Sequence, residues 1–310
     1  MKILITGGAG YIGSILTPML LNSGNEVTVI DNLMYNQTPL LDYCWHPQLT
    51  VIRGDARNTK LLEEQVKKAD AVLPLACLTG APLCDKDPDT ARSVNFEAVK
   101  TIMDMKSPSQ IMVFPNTNSG YGVGQDGIHF DENSPLNPIS LYGKLKVELE
   151  NYLLNTGECT TFRFATVFGV SPRMRLDLLV NDFVYRAVND RAVVLFEAHF
   201  KRNFIHVRDA AQAFIHVLDC YDSMKGRPYN VGLSEANLSK EELCKEIQKQ
   251  LPNFHYVNSE IGEDPDKRNY IVSNERIENT GYKASISLET GISELIKGYQ
   301  IIRRNQFSNV

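Results

Sequence analysis

The stretch Lys2-Ile-Leu-Ile-Thr-Gly-Gly-Ala-Gly-Tyr-Ile-Gly13 decides the fold of this 310-residue chain. Its apolar start predicts a buried strand, and its glycines predict a tight turn that opens a helix over Ile12–Asn22. The spacing fits both G-x-G-x-x-G and G-x-x-G-x-x-G, which lets the backbone approach a pyrophosphate at the positive end of a helix. An ordinary glycine-rich turn is the alternative. The residues predicted to line this dinucleotide site are Gly7, Gly10, Tyr11, Ile12 and Gly13.

Short apolar strands alternate with helical segments through the first half of the chain. The predicted strands are Lys2–Thr6, Glu26–Asp31, Leu49–Arg53, Ala71–Ala76, Gln110–Pro115 and Cys159–Ala165. The predicted helices are Ile12–Asn22, Leu61–Lys67, Ala91–Met105 and Leu141–Leu154. Several strands are near-continuous runs of Val, Ile and Leu, as is typical of parallel strands covered by helices on both faces. Right-handed connections between them predict an α/β fold with a doubly wound parallel (Rossmann) sheet.

The pattern changes after Gly169: the range Ser171–Ala187 is predicted to be a loop that leads into a helix, and polar loops separate the later elements. The later predicted elements are the strands Ala192–Phe196 and Asn203–Val207 and the helices Arg208–Tyr221, Ser239–Leu251 and Ser287–Ile302. We predict a dinucleotide-binding domain over residues 1–170, with residues 203–231 interleaved into it. A smaller α/β substrate-binding part is predicted over residues 171–310.

The composition is that of an ordinary globular protein, with 43% hydrophobic and 22% charged residues. A formal net charge of −5 argues against nucleic acid or an anionic membrane as the main partner. No run approaches the ~20 apolar residues of a membrane helix, and the start lacks the features of a signal peptide. We therefore expect a cytoplasmic protein. The six cysteines are scattered without a C-x-x-C pair, which predicts reduced thiols and no metal site.

A carboxylate closes the second predicted strand, about 20 residues past the glycines. In that place Asp31 would accept hydrogen bonds from a ribose 2′-hydroxyl and repel a 2′-phosphate. Asn32 follows, and no Lys or Arg stands directly beside it to neutralise such a phosphate. NAD is therefore predicted over NADP. The third strand leads into Asp55 and Ala56, which form either a reader of the adenine amino group or an ordinary surface turn.

The segment Tyr142-Gly-Lys-Leu-Lys146 places two functional side chains on one face of a helix. An unperturbed phenol has a pKa of about 10, and both the Lys146 ammonium and a positive nicotinamide would favour its phenolate. We predict that Tyr142 takes a proton from a substrate hydroxyl and that Lys146 also holds the nicotinamide ribose. Thr117 could hydrogen-bond the reacting oxygen, and Asn95 could order a water or the backbone near the cofactor. A surface Tyr–Lys pair, a turn-capping Thr and a helix-surface Asn are the alternatives.

These motifs resemble the extended short-chain dehydrogenase/reductase family of nucleotide-sugar epimerases and dehydratases over essentially the whole chain. The resemblance implies NAD-dependent oxidation at C4 of a nucleoside-diphosphate sugar. It also implies a homodimer paired through the helices near Ala91–Met105 and Leu141–Leu154. Arg202 is similar to the family's arginine for the substrate diphosphate, and Leu75 and Ala76 to its segment along the cofactor. Further substrate-binding candidates are Thr117, Arg173, Arg175, Arg268 and Thr166, which stands where the family usually has Asn.

The residues after Thr117 bear on the fate of a C4 ketone. Relatives that dehydrate have carboxylates there for acid and base chemistry, whereas this chain has Asn118 and Ser119. Dehydration and decarboxylation are therefore disfavoured, while a 4-epimerase and a simple 4-dehydrogenase remain open. The segments at 115–122, 164–183 and 264–268 resemble a bacterial subgroup that oxidises C4 of a GDP-linked heptose for capsule polysaccharide. A non-catalytic NAD-sensing module is disfavoured, because such proteins often lack the Tyr or the Lys.

Overall fold

A computed structural model describes residues 1–124, 129–259 and 269–302. The candidate Arg268, with the segment 264–268, lies outside these described residues. The strands are β1 Lys2–Thr6, β2 Glu26–Asp31, β3 Leu49–Arg53, β4 Ala71–Pro74, β5 Ile111–Thr117, β6 His129–Phe130, β7 Thr160–Phe164, β8 Thr166–Phe168, β9 Ala192–Phe196, β10 Lys201–His206, β11 Pro228–Val231, β12 Asn237–Ser239, β13 His255–Ser259 and β14 Ile271–Val272.

Twelve α-helices lie within the described ranges, some of them a single turn. They are α1 Gly13–Asn22, α2 Thr59–Val66, α3 Ala81–Lys86, α4 Pro88–Arg92, α5 Ala98–Met105, α6 Leu141–Asn155, α7 Leu179–Asn189, α8 Val207–Asp219, α9 Tyr221–Met224, α10 Lys240–Gln250, α11 Glu275–Glu278 and α12 Leu288–Ile301. None of the described helices is long and apolar enough to cross a bilayer. All six cysteines are free thiols.

Seven strands form one sheet in the order β11-β7-β5-β4-β1-β2-β3, and every neighbouring pair in it is parallel. The central strand β1 shows why both faces are covered. Ile3 and Ile5 pack into one apolar cluster, while Leu4 packs into a second cluster on the other face. The predicted doubly wound parallel α/β sheet is confirmed.

Several boundaries differ from the prediction for local reasons. Helix α2 begins at Thr59 because the Asn58 side chain accepts a hydrogen bond from Leu61 N and caps the helix two residues earlier than predicted. Strand β5 continues to Thr117 because its pairing with β7 persists past Pro115. The predicted single helix Ala91–Met105 is instead α4, a π-helical turn and α5, a widening of the kind often found near functional sites.

The later half of the chain supplies one strand to the main sheet and three small sheets. Strand β11 lies outermost beside β7, and α8 packs against α1 on the same face as the first apolar cluster. In the small sheets, β10 lies between β12 and β8, β13 pairs with β9, and β14 pairs with β6. Strands β8 and β10 therefore bring the segments around Thr166 and Arg202 side by side.

The glycine-rich turn is held by close packing against the exit of β4. Gly7 has a φ of 73°, and a Cβ there would lie 2.5 Å from the backbone nitrogen of Ala76. No side chain fits in that gap, and a left-handed residue with a Cβ is strained in any case. The approach between β1 and β4 therefore requires glycine at position 7.

We expect Gly7→Ala to lower the midpoint of thermal unfolding well beyond the effect of Gly24→Ala. Gly24 also has a positive φ, 81°, but nothing lies within 4 Å of its would-be Cβ. Backbone strain costs each variant about 1–2 kcal/mol, so the difference between them measures the clash at Ala76. Calorimetry of both variants, with NAD binding followed in parallel, tests this. Equal shifts in the two midpoints would contradict it.

Candidate active site

The carboxylate of Asp31 closes onto the glycine-rich turn. Its Oδ2 accepts a hydrogen bond from Ala9 N at 3.0 Å, and its Oδ1 accepts one from Leu33 N at 2.9 Å. A Cβ on Gly10 or on Gly13 would lie 3.1 or 2.7 Å from the Gly7 carbonyl, so the turn keeps its backbone close and bare. This is the cradle that a dinucleotide needs, with backbone amides at the start of α1 and an acid at the end of β2. The residues therefore fit NAD.

The side chains of three cofactor candidates, Tyr11, Ile12 and Asn32, lie in different surroundings. The phenol of Tyr11 is buried and donates to the Gly169 carbonyl at 2.6 Å, so only its backbone can face a cofactor. Burial also raises the pKa of Tyr11, which keeps the phenol neutral. Ile12 is partly buried against the first apolar cluster, and Asn32 is exposed, with its side chain accepting from Met34 N.

The segment after β4 runs beside the glycine turn. Leu75 N donates to the Thr6 carbonyl at 2.8 Å, and the Ala76 backbone forms the wall that Gly7 approaches. Asn95 is 1% exposed and uses both ends of its amide on Leu78, accepting from its N–H at 2.8 Å and donating to its carbonyl at 2.9 Å. Asn95 thus fixes the backbone beside the cofactor candidates, one of the two roles left open by the sequence.

Asp55 and Ala56 follow the third strand, and the Asp55 carboxylate is bound by a neighbouring arginine. The Asp55 carboxylate is engaged by Arg57 at 2.6 and 2.9 Å, and the hydrogen bond from Arg57 holds the pKa of Asp55 below its usual range. Both side chains are about two-fifths exposed. Contact of Asp55 or Ala56 with an adenine stays a prediction.

Lys146 ties the helix of Tyr142 to the strand of Thr117. Ser140 caps α6 by accepting from Gly143 N at 3.1 Å, which places Tyr142 in the first turn of that helix. One turn later, Lys146 is 3% exposed, and its ammonium donates to the Pro115 carbonyl at 2.8 Å. Pro115 lies two residues before Thr117 in β5, so this lysine joins the helix that carries Tyr142 to the strand that carries Thr117.

The Thr117 hydroxyl is oriented by the turn that follows it. Its Oγ1 donates to Ser119 Oγ at 2.9 Å and accepts from Ser119 N at 3.1 Å. Between them, Asn118 is 1% exposed, and neither polar atom of its side chain has a partner among the described residues. A buried carboxamide without partners costs about 1–3 kcal/mol, so a group outside the described residues, such as a water or a ligand atom, is expected to meet it.

A buried ion pair beneath this turn was not predicted. Glu150 and Arg163 are 0% and 5% exposed, with 2.7 Å between the carboxylate and the guanidinium. Glu150 also accepts from Asn116 Nδ2 at 2.7 Å, and Asn116 Oδ1 accepts from the Thr117 amide at 2.8 Å. Asn116 therefore connects the ion pair to Thr117 by hydrogen bonds. The spacing of 142, 146 and 150 along one helix face could have revealed Glu150.

Arg163 also holds the far end of the same turn. Its Nη1 donates to the Tyr121 phenol at 3.0 Å, and that phenol donates to Asn230 Oδ1 at 2.7 Å. Burial raises the pKa of Tyr121 to about 12, so this phenol stays neutral and serves as a structural donor. Asn116, Arg163 and Asn230 are register partners on β5, β7 and β11, which places the row at the carboxyl ends of three adjacent strands.

The arginine candidates have different neighbours in the structure. Arg202, on β10, is 2% exposed and lies over the Tyr270 ring at 5.6 Å, and Thr166 on β8 is partly buried beside that strand. Arg175 pairs with Asp177 at 2.5 Å. Arg173 stacks on Tyr35, which follows β2 on the cofactor side of the molecule.

No cluster of three or more His, Cys, Asp or Glu side chains suited to a metal ion occurs in the described ranges. The candidate site brings together the phenol of Tyr142, the ammonium of Lys146, the hydroxyl of Thr117 and the dinucleotide cradle.

Residues 3–232 match the model of the NAD dependent epimerase/dehydratase family. The low-salt glycan biosynthesis protein Agl12 of Haloferax volcanii is 27% identical, over 96% of this chain and 98% of the relative. The mouse dTDP-D-glucose 4,6-dehydratase is 25% identical, over 96% and 88%. The structure of Bacillus cereus UDP-glucuronic acid 4-epimerase with UDP-glucuronic acid and NAD superposes with a TM-score of 0.86 at 20% identity, covering 98% of this chain and 100% of the other.

The chain belongs to the NAD dependent epimerase/dehydratase family, since that family's model covers most of its length. It is an NAD-dependent enzyme of the nucleotide-sugar epimerase/dehydratase type. Its cofactor is NAD, in agreement with the bare glycine turn and with Asp31 at the end of β2.

We expect Glu150→Met to destabilise the protein by about 3–5 kcal/mol, because it leaves the Arg163 guanidinium buried without its carboxylate. The double variant Glu150→Met, Arg163→Met should recover part of that loss, since no unpaired charge remains. Urea unfolding measures both. The control is Glu148→Met, two residues earlier on the same helix, where the carboxylate is exposed and pairs with Arg92; its midpoint should barely move. A Glu150 loss no larger than the Glu148 loss would contradict the prediction.

Proposed function

We propose that this enzyme oxidises C4 of a nucleoside-diphosphate sugar, with Tyr142 as the base and NAD as the oxidant. The favoured substrate is a GDP-linked heptose, and the reaction a 4-dehydrogenation in capsule or surface-polysaccharide sugar biosynthesis. The observation that carries the proposal is the 2.8 Å bond from Lys146 to the Pro115 carbonyl, which joins the helix of Tyr142 to the strand end of Thr117. The similarity to the Haloferax glycan biosynthesis protein supports a role in polysaccharide synthesis.

The chain's residues divide the work of removing a proton. Bound NAD supplies the acceptor for the hydride that leaves C4. The Lys146 ammonium favours the phenolate of Tyr142, which takes the proton of the C4 hydroxyl as the C–H electron pair departs. The Thr117 hydroxyl, which is oriented by its hydrogen bond to Ser119, would hydrogen-bond the oxygen as it becomes a carbonyl. The products are a 4-keto sugar, reduced cofactor and a protonated Tyr142.

Substrate recognition is proposed for the second half of the chain. Arg202 is the proposed ligand of the substrate diphosphate, since a guanidinium matches phosphate geometry, and Thr166 lies on the adjoining strand. Arg175 is assigned to the same substrate side, because its charge bears on Tyr142. A homodimer through the helices near Ala91–Met105 and Leu141–Leu154 is also proposed; on that side of the molecule the exposed Arg92, at the end of α4, pairs with Glu148 on α6.

Asn118 and Ser119 bear on the fate of the ketone. Neither side chain is a carboxylate, so this turn has no acid or base to remove the C5 proton and expel the C6 hydroxyl. The proposal is therefore release of the ketone. The second candidate is a 4-epimerase, in which hydride returns to the other face of C4. It is favoured by the similarity of this chain to the UDP-glucose 4-epimerases of Corynebacterium glutamicum and Lactobacillus helveticus. A 4,6-dehydratase and a non-catalytic NAD-sensing module have less support.

Tyr142→Phe should lower kcat by about 10²–10⁴-fold, because it removes the base from the reacting hydroxyl. Its Kd for NAD should stay within about twofold, since the backbone cradle and Asp31 are untouched. Stopped-flow formation of NADH and calorimetric NAD titration measure the two quantities. The control is Tyr152→Phe on the same helix, whose phenol contacts Asp104 on the outer face; it should keep the rate of the unmodified enzyme. A Tyr142→Phe variant at full rate would remove Tyr142 from the mechanism.

Products from a panel of nucleotide sugars in deuterated water should separate the reactions. With GDP-heptose, we expect a 4-keto product and one equivalent of NADH, with no deuterium at C5 because no carboxylate stands at positions 118 and 119. The panel also includes UDP-glucose, UDP-glucuronic acid and dTDP-glucose, followed by NMR. Inversion at C4 without net NADH would establish the epimerase instead. Deuterium at C5 with loss of the C6 oxygen would refute the argument from Asn118 and Ser119.

A further inference from the structure

Two cysteine side chains meet at one backbone carbonyl near the cofactor cradle. Cys77 Sγ donates to the Leu78 carbonyl at 3.4 Å, and Cys84 Sγ donates to the same oxygen at 3.3 Å. Because both thiols contact one atom, the two sulfurs lie within two hydrogen-bond lengths of each other. The fold therefore brings together two thiols that are separated by six residues in the chain.

The segment between the two cysteines has room for a small movement. Gly80 has a φ of 92°, and a Cβ there would have its nearest neighbour at 3.8 Å, in the Pro82 ring. A disulfide needs its sulfurs about 2.05 Å apart and its Cα atoms within about 4.4–6.8 Å. Bond formation would therefore draw Cys77 and the single-turn helix α3, which carries Cys84, toward each other.

The two thiols differ in their access to solvent, which gives each a separate part in oxidation. Cys77 is partly exposed, whereas Cys84 is 0% exposed. Burial raises the pKa of Cys84 to about 11, and the neighbouring Cys77 adds to that rise. A thiolate is the form that attacks an oxidant, so the accessible Cys77 would react first and the buried Cys84 second.

The cysteine pair is coupled to the cofactor cradle through the backbone after β4. Cys77 directly follows Ala76, whose backbone packs against Gly7. Asn95 holds the next residue, because its amide accepts from the N–H of Leu78 and donates to its carbonyl. A covalent bond at Cys77 would therefore act on the same stretch of backbone that forms the wall of the glycine-rich turn.

We propose that Cys77 and Cys84 form a reversible disulfide on oxidation, and that this modification weakens the binding of NAD. The disulfide would remove both S–H donors from the Leu78 carbonyl and pull Cys77 toward α3, and Ala76 would follow as its neighbour. In a reducing compartment, disulfides are usually transient and often redox-sensing. The proposal requires only that NAD is the cofactor, so its failure would leave the C4 oxidation proposal standing.

Hydrogen peroxide is the proposed oxidant, and the reaction has two steps. The Cys77 thiolate attacks one peroxide oxygen, the O–O bond breaks, and the departing hydroxide takes up the Cys77 proton to become water. The Cys84 sulfur then attacks the sulfenic sulfur of Cys77. The S–S bond forms as the S–O bond breaks, and the second hydroxide leaves with the Cys84 proton as water. Two thiols are thus oxidised to one disulfide while one peroxide is reduced to two waters.

A single tryptic peptide reports the state of the pair. Residues 69–86 follow Lys68 and end at Lys86, and Cys77 and Cys84 are the two cysteines among them. The full chain is treated with hydrogen peroxide, denatured, alkylated with iodoacetamide and digested for mass spectrometry. The reduced peptide should carry two alkyl groups, whereas the disulfide should carry none and lack two hydrogens. Dithiothreitol before alkylation should restore the doubly alkylated peptide.

Calorimetric titration tests the coupling to the cofactor. Peroxide should raise the Kd for NAD by about 5- to 150-fold, the usual range of coupling between two sites, and dithiothreitol should restore it. By reciprocity, saturating NAD should lower the equilibrium constant for disulfide formation in a glutathione buffer by the same factor. In Cys77→Ser and in Cys84→Ala, peroxide should leave the NAD Kd where it was before treatment.

The matched control is Cys220→Ser, which removes another partly exposed cysteine and should keep both peroxide responses. If Cys84→Ala does not fold, as judged by circular dichroism, Cys77→Ser carries the test. A doubly alkylated peptide after peroxide has oxidised the exposed Cys44 would overturn the proposal. So would a disulfide that leaves the NAD Kd unchanged. An equal rise of the Kd in Cys77→Ser would also count against it, because another group would then be the oxidised site.

Discussion

Arg163 and Glu150 form an ion pair with almost no exposure to water, at the carboxyl end of three parallel strands. Such a pair is costly to bury and is stable only when further hydrogen bonds satisfy both groups. Here those bonds go to Asn116, just before the turn that follows Thr117, and to Tyr121 at the end of that turn. The need to satisfy two buried charges therefore fixes the turn that follows Thr117, and α6, the helix of Tyr142, contributes one of the charges.

The cofactor cradle depends on an equally local constraint, with a long-range consequence. Gly7 admits the backbone of Ala76 because it has no Cβ, and this approach sets the depth of the turn. Tyr11 then uses the far side of the turn to anchor Gly169, 158 residues later in the chain. Packing of one glycine and one buried phenol thus links the strand that begins the sheet to the segment that carries Arg173 and Arg175.

Sequence patterns predict those features of this molecule that depend on short-range periodicity. The sheet followed from apolar runs at β1 and β2, and the pairing of Tyr142 with Lys146 from helical spacing. Contacts between segments that are distant in the chain produce no periodic pattern in the sequence. Nothing in the spacing of Asn95 shows that its amide would hold Leu78, and nothing near Arg173 shows that it would meet Tyr35. Glu150 is an intermediate case, because its position on the helix face follows from the sequence spacing whereas its buried partner Arg163 does not.

The same cradle and the same base serve epimerases and dehydratases, so the difference between their reactions has to lie in few atoms. A carboxylate at position 118 would be desolvated at 1% exposure, and burial would raise its pKa toward the range in which it can donate a proton. Asn118 has a carboxamide at that position, and a carboxamide has no acidic proton to transfer at neutral pH. Its dipole can still hydrogen-bond a bound sugar while leaving the C5 proton in place. In the proposed reaction, this one neutral group in place of one acid is the reason that dehydration does not follow oxidation at C4.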